Sequence, residues 1–397
     1  MRPFLSLGAI FSLLLLHERA STGKATTTLK PTIGDCDDLA TAVSSTSTSR
    51  VNAKLTSTYI YCPSWTSFEI KENRLKLVAG GDLTDDDEVT FYNVRFVVSS
   101  ELRVNIPVRF DGDTPADGET SRQVNGGVFH VEEGARAEFI SDVYVDMGRV
   151  DTGVTDSADV TPDAGRGGCF YNEGRLKFRG SLETKDCRTS LGQYSAGSVF
   201  GDGGAIWNGE NGRLTVKGSL DLICGSAGNE GDSRGGAIYN AGKVDFYQNA
   251  SFTNGCYSGT GAIIYNEGRI RFYEDSFAYF SFAYAPGNGG HIFNSGNMFF
   301  LGGANHELGN TDLSGGGIYN EGKAIYSPGT DVRFYMCGAE VFGGAIALTV
   351  DSTFDLPEGS VFDANYILLP EDENVDQCDD IYLESDAGYT CLTSWPQ

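Results

Sequence analysis

The residues best suited to binding chemistry in this chain are aromatic and basic side chains that recur at fixed places in a repeated phrase. The aromatic side chains are Tyr171, Trp207, Tyr239, Tyr265, Phe293 and Tyr319. A basic residue follows most of them after four positions, and the basic set is Arg175, Arg213, Lys243, Arg269 and Lys323. Flat rings pack on sugar rings, and cations pair with carboxylates or sulfates. The pattern therefore favours binding of an extended anionic polysaccharide.

These side chains belong to a phrase that repeats along most of the chain. Its clearest copy is Gly-Gly-Ala-Ile-Tyr-Asn at 235–240, followed by one residue and another glycine. Copies begin at Gly126, Gly167, Gly203, Gly235, Gly261, Gly289, Gly315 and Gly343. The last intervals are 26 to 28 residues, and such a period is typical of an array of stacked repeats.

Alternation along a strand gives each position of the phrase a direction. The fourth position, as at Ile238, is large and apolar in every copy and is expected to face the core. The fifth, aromatic position then faces outward. The sixth position holds Asn172, Asn208, Asn240, Asn266, Asn294 and Asn320. Stacked asparagines can satisfy one another at a bend, and the glycine two residues later is expected to turn the chain with positive φ.

Each repeat continues with two further short apolar runs, as in 243–246 and 251–252. Three strands per repeat and an in-register asparagine column predict an all-β fold, a right-handed parallel β-helix with one 26–36-residue repeat per coil. A β-propeller blade would need about 40 residues and four strands. We expect a flexible lead-in and a short N-terminal cap helix within 24–55, the β-helix at 56–365, and an acidic, disulfide-stapled C-terminal cap at 366–397.

Residues 1–23 have the pattern of a secretory signal peptide. An apolar run from Phe4 to Leu16 is followed by small residues at Ala20 and Gly23. A membrane-spanning helix needs about 20 apolar residues, and no later stretch is long and apolar enough. We therefore expect a secreted, extracellular protein without a transmembrane segment in the mature chain. The sequon at Asn249 is compatible with that route.

The formal net charge of −25 disfavours nonspecific binding to nucleic acid, so no nucleic-acid partner is expected. Stacking basic residues about 4.8 Å apart is unfavourable unless something offsets the repulsion. Two explanations stay open at this point. The basic residues either pair locally with carboxylates in the bends, at Glu173, Glu210, Glu267 and Glu321, or they form a binding surface.

Nine cysteines in an exported chain indicate disulfides. The candidates are Cys36, Cys62, Cys187, Cys224, Cys256, Cys378 and Cys391. The first two and the last two bracket the expected caps, and the middle three fall at one place in successive repeats, where neighbouring coils could be bridged. Because the total is odd, one thiol is left over, and we expect it to be Cys169.

Catalysis is the main alternative to a structural or adhesive role. Polysaccharide lyases, epimerases and hydrolases use acidic residues with a base or a second carboxylate, and Asp142, Tyr144 and Asp146 lie on one side of a predicted strand. Asp111, Asp113 and Asp117 form an acidic loop. No compact catalytic signature stands out, so no catalytic residue is assigned. No metal site and no cofactor are expected, apart from structural calcium that such Asp/Gly loops could hold.

The Gly-Gly-Ala-Ile repeats, with Tyr-Asn at 239–240 and one Phe-x-x-Asn at 362–365, resemble those of polymorphic outer membrane proteins and related secreted, pectin-lyase-like β-helix proteins. The resemblance covers roughly 126–365. It implies a β-helix fold and surface display or adhesion, with cell-surface matrix as a partner. Most copies here lack Phe-x-x-Asn.

Overall fold

The computed structural model describes residues 28–45, 50–72, 74–112, 125–146, 149–151, 165–190, 201–223, 227, 233–367, 380–385 and 388–392. The expected signal peptide at 1–23 and most of the expected C-terminal cap lie outside these residues. Within them, nearly all strands pair in parallel. Stacked parallel sheets of this kind form a β-helix, which confirms the predicted fold class.

The described residues contain one α-helix, α1 (Cys36–Ser44), and short strands numbered in chain order. The N-terminal third contains β1 (Thr28–Leu29), β2 (Thr32–Ile33), β3 (Arg50–Leu55), β4 (Tyr59–Ile70), β5 (Arg74–Ala79), β6 (Val89–Val98), β7 (Glu101–Val104), β8 (Val108–Asp111), β9 (Phe129–Val131), β10 (Arg136–Phe139), β11 (Val143–Asp146) and β12 (Arg149–Asp151). The middle of the chain contains β13 (Phe170–Asn172), β14 (Arg175–Phe178), β15 (Leu182–Lys185), β16 (Arg188–Ser190), β17 (Ile206–Asn208), β18 (Arg213–Val216), β19 (Leu220–Ile223), β20 (Ile238–Asn240), β21 (Lys243–Phe246), β22 (Ala250–Thr253), β23 (Cys256–Tyr257), β24 (Ile264–Asn266), β25 (Arg269–Phe272) and β26 (Phe277–Ala285). The C-terminal part contains β27 (Ile292–Asn294), β28 (Asn297–Phe300), β29 (Gly303–Thr311), β30 (Ile318–Asn320), β31 (Lys323–Tyr326), β32 (Val332–Tyr335), β33 (Gly338–Ala339), β34 (Ile346–Leu348), β35 (Thr353–Asp355), β36 (Val361–Asp363), β37 (Tyr366–Ile367), β38 (Ile381–Ser385) and β39 (Gly388–Leu392).

Each coil contributes one strand to each of three columns. The strand that follows the asparagine bend, such as β21, belongs to a 13-stranded sheet that runs from β1 to β35. The other two strands of the coil, such as β20 and β22, belong to a 24-stranded sheet, in which the long strand β6 joins the two columns by pairing with β8 in one and with β9 in the other. The two sheets therefore meet at the asparagine bend.

The ends of the solenoid are covered by different elements. At the N-terminus, Asp35 caps α1 by accepting a hydrogen bond from the backbone N–H of Asp38, at 2.9 Å. The helix buries Leu39, Ala42 and Val43, as the predicted cap helix requires. Residues of the expected lead-in form β1 and β2, which pair with β3. At the other end, β38 pairs with β34 and turns back as the antiparallel β39.

The interior contains the predicted column of large apolar side chains. The fourth position of the phrase is buried in every copy, at Phe129, Phe170, Ile206, Ile238, Ile264, Ile292, Ile318 and Ile346. The sixth position forms the predicted asparagine ladder. Each amide Nδ2 donates to the Oδ1 of the next asparagine at 2.6 to 2.7 Å, from Asn172 to Asn320. All six asparagines are fully buried.

The first and last glycines of the phrase differ from the prediction in backbone conformation. Positive φ is adopted by the first glycine of every copy, for example φ 65° at Gly235, and not by the last one, such as Gly242. The last glycine is required for a different reason. A Cβ on Gly242 would lie 2.2 Å from the carbonyl oxygen of Gly209 in the preceding coil. The predicted turn glycine is therefore required for close packing, because the backbone of the preceding coil passes directly against it.

The disulfides correct part of the cysteine prediction. The expected cap disulfide Cys36–Cys62 is present, with a Cα–Cα distance of 5.2 Å. Cys169, expected to be the leftover thiol, is bonded instead to Cys187 of its own coil. The two meet because the backbones at 168 and 188 pass close together, so that a Cβ on Gly168 would lie 2.5 Å from the nitrogen of Arg188.

The described residues include two further cysteine side chains. Cys256 is also disulfide-bonded. Cys337 is free, and burial raises the pKa of its thiol to about 12. Cys224 and Cys378 lie outside the described residues, as does the side chain of Cys391, so a disulfide in the C-terminal cap stays a prediction.

Candidate functional site

The aromatic side chains of the fifth position form a continuous stack. Successive rings from Tyr171 to Tyr319 lie 4.3 to 6.0 Å apart between centroids, with interplanar angles of 15° or less. The first three, Tyr171, Trp207 and Tyr239, form a hydrophobic cluster separate from the main core. The column therefore points away from the interior, as predicted. Its ring faces, however, are covered by one another.

The aromatic side chains of the stack are more buried than their outward direction predicts. Tyr171, Trp207, Tyr239 and Phe293 are each 6 to 8% exposed, and Tyr265 and Tyr319 are half-buried. The indole of Trp207 lies over the bend, where a Cβ on Gly209 would be 2.5 Å from the ring. Ring edges rather than ring faces are therefore presented to solvent in this column.

A guanidinium group covers the middle of the stack. Arg234 lies 4.6 Å from the ring centroid of Tyr239 and 5.2 Å from that of Tyr265, distances typical of a cation–π contact. Asp202 accepts hydrogen bonds from Nε and Nη2 of Arg234 at 2.9 and 2.8 Å. The hydroxyl of Tyr239 donates to Glu267. Burial and this hydrogen bond raise the pKa of Tyr239, so it stays neutral.

The basic residues form a second column, on the 13-stranded sheet. The first residues of successive strands are in register, so that Arg136 pairs with Arg175, Arg175 with Arg213, Arg213 with Lys243, and Lys243 with Arg269. Asn297 then separates Arg269 from Lys323. We call these first residues, from Arg136 to Lys323, the basic column. Most of them are exposed, and the column lies across the asparagine bend from the aromatic stack.

Two buried carboxylates lie beneath the basic column, at outward positions two residues further along the same sheet. Glu138 is 2% exposed. Its carboxylate oxygens lie 2.8 Å from Arg179, 2.9 Å from Arg136, 3.4 Å from Lys177 and 3.9 Å from Arg103. Burial raises the pKa of Glu138, but the hydrogen bond from Arg179 and the charges of Arg136 and Arg179 outweigh burial and hold that pKa below its usual value.

Asp245 is the second buried carboxylate, at 1% exposure. It lies 3.4 Å from Arg213 and 3.6 Å from Arg269, one coil away on either side. The expected bend carboxylates do not have this role. Glu267 pairs with Arg234 at 3.3 Å, and Glu173 and Glu210 form no ion pair with the rest of the described chain. Local pairing therefore exists, but through strand carboxylates that the sequence pattern did not single out.

The other predicted site residues are dispersed. Asp142 accepts a hydrogen bond from the backbone N–H of Ser181 at 2.7 Å, and Tyr144 donates to Asp146 at 3.3 Å. Asp113 and Asp117 lie outside the described residues. The catalytic alternative stays a prediction. Asn249, the predicted glycosylation site, is exposed.

Comparisons with protein-family models, curated proteins and solved structures give no match. The stacked parallel sheets agree with the coarser part of the resemblance, a β-helix solenoid, and the family itself stays a prediction. Two further findings concern the described residues alone. No helix there has the length and apolar character needed to cross a membrane. No group of three or more His, Cys, Asp and Glu side chains there could hold a metal ion.

Two buried histidines were not recognised as special from the sequence. His291 and His306 are fully buried, with ring centroids 5.6 Å apart. His306 stacks between Phe280 and Phe334, at 4.7 and 4.6 Å. His291 occupies the third position of its phrase and faces Gly309, where a Cβ would lie 2.7 Å from its Nδ1. In the sequence, the one feature connected with this buried histidine is the glycine at 309, which leaves space for the ring of His291.

The histidines are held neutral by their surroundings. Nε2 of His291 lies 3.1 Å from the carbonyl oxygen of Glu307, and Nε2 of His306 lies 3.0 Å from the hydroxyl of Tyr326. Neither Nδ1 has a hydrogen-bond partner among the described residues. Burial lowers the pKa of His291 to about 3 and lowers that of His306 well below its usual value.

Stability is expected to fall as the pH is lowered from about 6.5 towards 4.5. Both folded-state pKa values are below the unfolded value of about 6.5, so the unfolded chain binds more protons in this range. Each imidazole then contributes a loss of up to about 1.4 kcal/mol per pH unit. The measurement is urea unfolding at several pH values. His306→Phe keeps the ring stack and should remove one imidazole's share of the slope. An unchanged slope would exclude His306 as a source of the acid sensitivity and leave it to other groups, among them His130, whose pKa burial also lowers to about 4.

Proposed function

We propose that this protein is a secreted, extracellular scaffold that binds anionic polysaccharide along the basic column. The observation that carries the proposal is the column itself, an exposed, in-register row of cations on the 13-stranded sheet of a chain with net charge −25. Like charges one coil apart oppose folding. A bound polyanion would supply negative charge to the cations of the basic column that lack a carboxylate partner, and this would explain why so many cations lie on one sheet.

The aromatic stack supports this function indirectly. Because its ring faces are occupied by neighbouring rings, it is a poor platform for sugar stacking. It instead stiffens the coils beside the asparagine bend, and this keeps the cations of the adjacent sheet at a constant spacing. A rigid row of charges binds a polymer with less loss of conformational freedom than a flexible one. The proposed binding surface is therefore the basic column alone, and not the combined aromatic and basic surface expected from the sequence.

Binding of the mature protein to immobilised uronate polymers tests the proposal. The double variant Arg175→Gln/Lys243→Gln should reduce affinity about tenfold, because two exposed ion pairs contribute up to about 1 kcal/mol each. Binding should weaken steeply with salt, because a polyanion releases counterions. Lys185→Gln removes an exposed cation from the 24-stranded sheet and should leave affinity unchanged.

Two outcomes would contradict the proposal. The first is no retention of the folded protein on any anionic polymer at low salt. The second is equal weakening by Lys185→Gln and by the double variant, because this would indicate a general charge effect rather than a defined surface. Appearance of unsaturated product in the same assay, followed by ultraviolet absorbance, would favour the lyase alternative instead.

A further inference from the structure

The cations of the basic column differ in whether they already have a carboxylate partner. Arg136 pairs with Glu138, and Arg213 and Arg269 both pair with Asp245. Arg175 and Lys243, which alternate with them, form no ion pair with any described residue. Paired and unpaired cations therefore alternate from one coil to the next between Arg136 and Arg269.

This alternation has a simple geometric cause. Asp245 lies on the strand of Lys243, two residues further along, and one coil from both Arg213 and Arg269. At 1% exposure Asp245 is buried, and it forms an ion pair with both arginines, whose own side chains are 55% and 35% exposed. The charge of each arginine is therefore already matched by a carboxylate. Lys243 is left exposed between them.

The spacing of the unpaired cations has a chemical consequence. Coils are about 4.8 Å apart, so Arg175 and Lys243 are separated along the axis by about 10 Å. A polymer that lies along the solenoid axis meets one side chain of the column in each coil. One sugar ring of an extended polysaccharide occupies about the axial length of one coil. An unpaired cation in every second coil thus matches a polymer with one carboxylate in every disaccharide.

We propose that the basic column selects polysaccharides with one carboxylate per disaccharide, aligned with the solenoid axis, and that Asp245 is the residue that sets this selectivity. The inference rests on the proposed function and specifies its ligand. Asp245 contacts no ligand in this scheme. It is a positioning residue, which holds Arg213 and Arg269 in ion pairs and leaves the unpaired cations at the longer repeat.

The test uses the full mature chain and two carboxylate polymers, hyaluronan with one carboxylate per disaccharide and polygalacturonate with one per sugar. The wild-type chain should prefer hyaluronan fragments, with affinity that rises with fragment length. Asp245→Asn, which keeps the side-chain size, should release both arginines and raise the affinity for polygalacturonate about tenfold, as two added ion pairs would. Affinity for hyaluronan should change less than about twofold.

Matched variants separate this selectivity from general charge. Asp221→Asn makes the same charge change at an exposed position of the 24-stranded sheet and should alter neither affinity. Arg213→Gln, at a paired cation, should weaken hyaluronan binding much less than Lys243→Gln at an unpaired one. If Asp245→Asn reduces folding, this comparison of Arg213 with Lys243 still tests the inference.

The outcomes distinguish the inference from the function on which it rests. If neither polymer binds the wild-type chain, the proposed function fails. If both polymers bind but wild type shows no preference, or if Arg213→Gln weakens binding as much as Lys243→Gln, polyanion binding stands and the selectivity by Asp245 is overturned. Affinity independent of fragment length would overturn the axial alignment of the polymer.

Discussion

Replacing Asn240 by alanine is expected to lower the free energy of unfolding by about 3 to 5 kcal/mol, because it leaves several buried polar groups without partners. Asn240 receives a hydrogen bond from Asn208 at 2.7 Å and donates one to Asn266 at 2.7 Å. Its Oδ1 also accepts from the backbone N–H of Gly242 at 3.1 Å. All of these side chains lie in the fully buried ladder, out of contact with bulk solvent.

The end of the same ladder provides the matched control. Asn172 donates to Asn208 at 2.6 Å, but its own Oδ1 has no hydrogen-bond partner within the described residues. Asn172→Ala therefore breaks one ladder bond, and we expect about half the loss of the interior variant. Urea unfolding followed by circular dichroism gives both values. Equal losses at the two positions would mean that the ladder bonds do not determine the cost.

Gly268→Ala is expected to destabilise the fold by more than about 3 kcal/mol, because the added methyl group has no space. A Cβ on Gly268 would lie 2.2 Å from the carbonyl oxygen of Gly242 and 2.6 Å from the carbonyl carbon of Ala241. Both atoms are backbone of the preceding coil, so they cannot rotate away as a side chain could. The coils must separate locally, and this weakens the sheet hydrogen bonds between them.

Two other glycines separate crowding from backbone strain in the same unfolding assay. Gly329 has φ 78° with nothing within 4 Å of an added Cβ, so Gly329→Ala measures strain alone and should cost about 1 kcal/mol. At Gly34 the nearest atom is 3.5 Å away and φ is not positive, so Gly34→Ala should be close to neutral. If Gly268→Ala lowers the free energy of unfolding as little as Gly34→Ala does, the coils do not approach each other as closely at Gly268 as the structure indicates.

The parts of the fold that sequence predicts best are those with a periodic cause. Ile238 and Asn240 recur in the same relation in copy after copy, and stacking of identical coils places equivalent residues in register. The inward apolar column and the asparagine ladder could therefore be inferred from spacing alone. The single helix was also recognisable, since an acidic first turn and apolar residues at helical spacing are local signals.

Non-periodic features could not be obtained in this way. The Cys169–Cys187 bond joins two segments of one coil. The distance between these segments depends on the cross-section of the coil, which the repeat spacing does not define. Positive φ is also adopted by non-glycine residues at a bend shared by several coils, at Asp186, Asn254, Phe282, Leu308, Met336 and Ala364. Backbone conformation at such a bend is imposed by the neighbouring coils, not by the residue type.

The candidate site shows the same division. The sequence by itself determined that an aromatic and a basic residue recur in most coils at the positions of Tyr239 and Lys243, and that both point away from the core, because strand alternation requires only the order of residues. Only the tertiary structure decided that the aromatic rings cover one another and that Asp245 forms ion pairs with Arg213 and Arg269 of the basic column. Burial and ion pairing depend on contacts between coils, and these contacts exist only once the repeats have stacked.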